Sequence, residues 1–183
     1  MTEILWHGRG GQGAFTAAKF FGSSYALSKD KYALSFPSFG PERRGAPILA
    51  FTKLDEKPIG NRSQIKKADY VVFLDDTLFN PQSLNEAKDG GTILINSSQS
   101  KDFFAHGETA QAKIITFNAS VAAKEILGLN VSNTAMSALL ARVSGLVGEE
   151  ELISAVKEYM SEKIAEKNAA LIRSVFEKSG VAV

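Results

Sequence analysis

Glu3-Ile4-Leu5-Trp6-His7, then Gly8-Arg9-Gly10-Gly11-Gln12-Gly13, then Ala14-Phe15-Thr16-Ala17, is the stretch that decides the fold. The first five residues read as a short buried strand. The next six set four glycines around Arg9 and Gln12, a composition that suits a tight turn. From Ala14 to Leu27 a helix is predicted. Phe15, Ala18, Gly22 and Tyr25 recur at three- and four-residue spacings, and Phe21 widens that face. Gly22 would let a neighbouring element approach closely.

The loop contains the pattern Gly-x-Gly-x-x-Gly in the correct context, after a strand and before a helix. Backbone N–H groups and the positive end of the helix favour an anion there. Arg9 adds a charge and Gln12 a two-way hydrogen-bonding group. A dinucleotide site also needs an acid at the end of the second strand, to hold the ribose hydroxyls. That strand ends at Phe36-Pro37-Ser38, and Asp30 precedes it. No Gly-Lys-Ser/Thr follows, so the loop is not a P-loop. Two readings stay open for Gly8–Gly13: a cradle for an anion, phosphate foremost, or a tight turn packing helix on sheet.

Working outward, strands are expected at Tyr32–Phe36, Ile48–Leu54, Tyr70–Leu74, Thr92–Asn96 and Lys113–Phe117, with a turn at Asp89-Gly90-Gly91. The unbroken apolar run Tyr70–Leu74 suits a strand covered on both faces. Helices follow at Ser120–Leu127, stopped by Gly128, and at Thr134–Val147, with Asn133 as N-cap and Gly148 as the stop. Glu149–Glu166 and Asn168–Lys178 read as amphipathic helices. The expected fold is a three-layer α/β/α domain with a mainly parallel sheet and a helical C-terminal third, one domain across 1–183.

Between the second and third strands lies Pro37-Ser38-Phe39-Gly40-Pro41-Glu42-Arg43-Arg44-Gly45-Ala46-Pro47, a proline-stiffened loop. Its adjacent arginines, Arg43 and Arg44, suit phosphate or carboxylate recognition, or an ion-paired subunit contact. An exposed arginine pair tied to Glu42 is the plainer alternative. Asp75 and Asp76 end the fourth strand on the edge where α/β proteins bind ligands, yet aspartates there more often cap the next segment. His7 reads as a core or interface histidine. Ser97, Ser98 and Ser100 have no identifiable histidine partner, and no catalytic constellation emerges.

Composition narrows the chemistry. Cysteine is absent, which removes disulfides, thiolate nucleophiles and cysteine-ligated zinc or iron–sulfur clusters. With only His7 and His106, no histidine-based metal site is expected. The net charge of +1 gives no field that would steer the chain to nucleic acid or an anionic membrane. No apolar run is long enough to span a bilayer, and Met1-Thr2-Glu3 lacks the basic start of a signal peptide, so a cytoplasmic location is expected.

Trp6 through Ala14 and Phe36 through Pro47 together resemble the gamma subunit of 2-oxoacid:ferredoxin oxidoreductases, in particular the pyruvate type (pyruvate synthase). Asn133-Thr134-Ala135-Met136 and Lys163 through Asn168 are similar to that family as well, so the resemblance covers nearly the whole chain. Ser137-Ala138 departs from it, where the family often has Leu-Gly. The resemblance implies an anaerobic enzyme that decarboxylates a 2-oxoacid on thiamine diphosphate and releases acyl-CoA. Electrons would pass through 4Fe–4S clusters to ferredoxin. Thiamine, Mg and clusters would sit on alpha, beta and delta subunits, not on this chain. This chain would add assembly surface and part of the coenzyme A site, through Gly8, Arg9, Gly10, Gly11, Gln12, Gly13, Arg43, Arg44 and Asn133. The alternatives are a stand-alone nucleotide-binding module and a purely structural subunit.

Overall fold

The computed structural model describes residues 1–27, 30–38, 44–105 and 112–178. Six strands form one sheet: β1 (Thr2–Arg9), β2 (Tyr32–Pro37), β3 (Pro47–Asp55), β4 (Ala68–Phe73), β5 (Ala87–Asn96) and β6 (Lys113–Phe117). Their order is β2-β3-β1-β4-β5-β6. The pairings β1–β4, β4–β5 and β5–β6 are parallel, while β1–β3 and β2–β3 are antiparallel. The sheet is therefore mostly parallel, with an antiparallel hairpin set beside β1.

Side chains alternate between the two faces of each strand. Ile4, Trp6, Ala50, Leu54, Val72, Leu74 and Leu94 face one core. Leu5, Phe51, Val71, Phe73, Ile93 and Ile95 face the other. The first face is covered by α1 (Ala14–Ala26), α3 (Ala119–Leu127), α4 (Asn133–Ser144), α5 (Glu149–Tyr159) and α6 (Glu162–Glu177). The second carries a thinner layer: α2 (Lys101–Phe104), the 3-10 turns Asp76–Leu78 and Pro81–Glu86, and Ile65. Helices thus lie on both sides, and the long ones all lie on one.

Helix α1 sits close to the hairpin because Gly22 has no side chain. A Cβ there would stand 2.6 Å from Ser35 Oγ. The approach lets Ser35 and Thr52 each donate a hydroxyl hydrogen bond to the Ala18 carbonyl, at 2.8 and 3.2 Å. Trp6 Nε1 donates in turn to Thr52 Oγ1 at 3.1 Å. The face predicted for α1 is rotated slightly: Phe20 is buried and Phe15 only partly so.

Three expected boundaries move. Asp89-Gly90-Gly91 is not a turn but part of β5, where Gly90 takes φ +76° and the β4 register shifts between Ala68 and Tyr70. Glycine there absorbs an irregularity and the strand continues. Helix α4 begins at Asn133 and ends at Ser144 with Gly145 as its C-cap, so Ser132, not Asn133, is its N-cap and Gly148 is not its stop. The helical period that runs through Glu149–Glu166 hides a break: Met160 is extended and Ser161 opens α6, which places Asn168 inside one helix. Among the described residues, no helix is long and apolar enough to cross a membrane.

Candidate functional site

The chain leaves β1 for the β2–β3 hairpin on one side, then returns to build β4, β5 and β6 on the other. That reversal opens a crevice at the C-terminal ends of β1 and β4, the position at which open α/β sheets bind ligands. The glycine loop forms one lip of it. Gly11 and Gly13 take φ +94° and +79°, which a side chain would strain. Gly8 lets the start of α1 pack against β1, since a Cβ there would stand 3.0 Å from Ala14 Cβ. Gly13 caps α1 without any side-chain hydrogen bond, and among the described residues no side chain accepts from the first-turn amides.

The loop is held by neighbours from distant parts of the chain. Gly10 N donates to Ala46 O at 2.8 Å, and Gly45 N donates to Gly10 O at 3.0 Å. Arg44 forms a β-bridge with Gly10 and is exposed. Its Cγ lies 4.0 Å from where a Cβ of Gly11 would stand, and it has no ion pair among the described residues. Asn133 packs from the other side, with Nδ2 2.5 Å from where a Gly13 Cβ would be. Asn133 Oδ1 accepts from Thr134 N at 2.8 Å. The fold therefore brings Gly8–Gly13, Arg44 and Asn133 together; Arg43 lies outside the described residues.

Arg9 and Gln12 point elsewhere than sequence suggested. Gln12 Oε1 accepts from Arg9 N at 2.7 Å, and Gln12 Nε2 donates to Asp75 Oδ2 at 2.9 Å. Arg9 donates from Nε to Asp75 Oδ2 at 3.1 Å, from Nη1 to Gly45 O at 3.2 Å and from Nη2 to Thr77 Oγ1 at 2.8 Å. Asp75 Oδ1 accepts from Thr77 N at 3.0 Å and caps the Asp76–Leu78 turn. Burial pushes the Asp75 carboxyl up, but hydrogen bonds from Thr77, Gln12 and Arg9 outweigh it and hold it below its ordinary value. Asp75 is thus the cap that sequence anticipated and also the anchor of the glycine loop. Its place at the end of β4 was the only available signal for the second role.

Beyond the loop, a cleft of about 380 Å³ runs along the ends of β4 and β5. Its walls are mostly hydroxyl and amide groups with two carboxylates, including Asp76, Asn96, Ser97, Asn118, Ser120 and Ser132, and among the described residues no basic side chain lines it. Ser97 Oγ donates to Asp76 Oδ2 at 2.5 Å. Asn96 Nδ2 donates to Leu74 O and to Ser120 Oγ, at 2.8 and 2.9 Å, tying β5 to β4 and α3. Asn118, Ser120 and Ser132 carried no sequence signal, because nothing in their local pattern says which strand end they close. His7 stacks on Phe73 at 4.2 Å and pairs with Glu86 at 2.8 Å on the opposite face of the sheet, a packed histidine away from the cleft. Among the described residues no cluster of metal-ligating side chains is present.

The strand next to β1 on the hairpin side decides one further point. A dinucleotide fold places a parallel second strand there, with its acid beside the glycine loop. Here that neighbour is antiparallel β3, and its first residue, Pro47, pairs with Arg9. The segment lying where the acid would be is Arg44–Ala46, which carries a cation.

Residues 3–178 match the family pyruvate ferredoxin/flavodoxin oxidoreductase. The chain is 42% identical over 183 residues to the pyruvate/ketoisovalerate oxidoreductases common subunit gamma of Thermococcus kodakarensis, covering 99% of this chain and 98% of that protein. It is 42% identical over 179 residues to pyruvate synthase subunit PorC of Methanothermobacter thermautotrophicus, covering 97% and 96%. The crystal structure of pyruvate oxidoreductase subunit PORC from Thermotoga maritima superposes with a TM-score of 0.83 at 29% identity, covering 96% of this chain and 95% of that one.

Proposed function

The chain belongs to the pyruvate ferredoxin/flavodoxin oxidoreductase family as a gamma-type subunit, and on that premise we propose that it supplies part of the coenzyme A site of a pyruvate-oxidising complex. The observation that carries this reading is the juxtaposition at the glycine loop. Arg44 stands beside Gly10 and Gly11, and the start of α1, which no described side chain caps, offers backbone donors a few residues on. A cation and free N–H groups along one short loop suit a phosphate.

The charges divide the site. Arg9 is matched by Asp75, and the cleft beyond it is lined by Asp75 and Asp76. An anion is therefore disfavoured on the cleft side and favoured on the Arg44 side. Phosphates of coenzyme A would lie by Arg44, Gly11 and Gly13, with Asn133 shaping the floor. Sugar hydroxyls or amide groups would face the Asp76–Ser97–Asn118 wall, which supplies matching acceptors and donors. With no cysteine, this chain offers no thiolate ligands for iron–sulfur clusters. Thiamine diphosphate, Mg and the 4Fe–4S clusters belong on the alpha, beta and delta subunits, which deliver electrons to ferredoxin. In the cytoplasm this chain would act only within that assembly.

The test uses the native complex. Purified from its source, the chain should carry thiamine-dependent and cluster-bearing subunits with it. Arg44→Ala should raise the KM for coenzyme A about tenfold, the loss of one charge-assisted contact, with the KM for pyruvate unchanged. A coenzyme A KM that does not move would leave the purely structural reading. That reading has its own support, since Arg9 and Gln12 are both engaged within the protein.

A further inference from the structure

We infer that Asp75 is the positioning residue of the glycine loop, holding Gly8–Gly13 in its ligand-receiving shape through Arg9 and Gln12. The inference rests on the coenzyme A reading for its functional part and on geometry for the rest. One carboxylate oxygen, Oδ2, takes both loop side chains: Arg9 Nε at 3.1 Å and Gln12 Nε2 at 2.9 Å. The other, Oδ1, takes Thr77 N and Thr77 Oγ1, at 3.0 and 2.5 Å. Asp75 thus joins the end of β4 to the loop after β1.

The consequence runs through Gln12. With Nε2 fixed on Asp75, its Oε1 closes on Arg9 N at 2.7 Å, while Gln12 N donates to Arg9 O at 2.9 Å. These two bonds curl residues 9–12 into the turn in which Gly11 takes positive φ, just before Gly13 opens α1. Arg9, aimed at Asp75, Thr77 and the Gly45 carbonyl, is kept from folding over the first-turn amides of α1. Its charge is balanced locally, which leaves Arg44, among the described residues, as the cation beside the loop. Nearby Asp76 does not compete, because its Oδ2 accepts from Ser97.

Asp75→Asn in the assembled complex separates the roles. Asparagine keeps an oxygen for the Thr77 amide and is itself a strong N-cap, so the 76–78 turn survives. With that single oxygen on Thr77, its NH2 group faces two donors, Arg9 Nε and Gln12 Nε2, and can accept from neither. We expect faster amide hydrogen exchange in residues 8–13, unchanged exchange in residues 76–78, and a KM for coenzyme A raised about tenfold with kcat altered by less than about twofold. Unchanged exchange in the loop overturns the inference whatever the kinetics. Faster loop exchange with an unmoved KM upholds the hold of Asp75 on the loop and rejects the coenzyme A reading. Should Asp75→Asn fail to assemble, Gln12→Met breaks the same latch from the loop side. It should raise loop exchange and the coenzyme A KM in the same direction; unchanged loop exchange there would equally overturn the inference.

Discussion

Gly13 carries two constraints at once. Its φ is +79°, and a Cβ there would stand 2.5 Å from the buried Asn133 amide. Gly13→Ala should therefore destabilise the chain by about 1–3 kcal/mol, combining left-handed strain with displacement of Asn133. Thermal unfolding of the single variant and of Gly13→Ala with Asn133→Ala would separate the terms. The double variant should recover the steric part and keep the strain. Glycines at 11 and 13 were legible as loop glycines from sequence alone. The partner that makes Gly13 obligatory was not, because Asn133 lies on α4 and reads locally as a helix cap. Arg9 and Gln12 present the converse. Their side-chain chemistry suggested a ligand, and tertiary contacts with Asp75 engage both in building the loop.

Elements were legible in proportion to the clarity of their period. The buried run in β4 and the glycine-bounded helix α3 fall within a few residues of where pattern places them. The join between α5 and α6 did not show, since apolar residues keep a helical spacing through Met160 and Ser161 while the backbone turns extended. Helix α6 holds a sharp contrast on which to test its packing. Leu171 is fully buried against the first-face core, whereas Ile164 is 53% exposed. Leu171→Ala should cost about 2–5 kcal/mol in chemical denaturation, a large-to-small change in a packed core. Ile164→Ala should stay within about 0.5 kcal/mol, as surface changes do. Similar losses at both positions would mean that α6 buries a different face. The hairpin β2–β3 is the element whose placement matters most for the site, because its insertion beside β1 carries Arg44 to Gly10.

For the whole molecule, titrating groups set the pH range over which the fold is firm. Asp75 has its carboxyl lowered on folding, so its contribution is present at neutral pH and lost as pH falls through its folded value, below the usual carboxylate range of about 4. Lys88 works at the other end. Burial opposes its charge, but Asp69 and Glu3 outweigh that and raise it, so its contribution persists until pH rises past the ordinary lysine range. Burial also raises Tyr25 and Tyr70, which adds to the alkaline loss. Urea midpoints measured across pH should form a plateau falling at both ends, and Asp75→Asn should flatten the acid limb alone. An acid limb unchanged in that variant would place the sensitivity elsewhere. By itself the sequence determined the strand–glycine loop–helix opening, the α/β class, the absence of cysteine chemistry and the family resemblance carried by two motifs. Those features are local, resting on composition and on the periods of helix and strand. Only the tertiary structure decided which face of the sheet takes the long helices, that Arg44 lies against Gly10 while Arg9 is paired with Asp75, and that Asp75 anchors the loop. The contacts behind the last two reach across 34 to 66 positions of chain, since Gly10 pairs with Arg44 and Arg9 with Asp75. No periodicity encodes such partners; they follow from the order in which the strands are laid side by side.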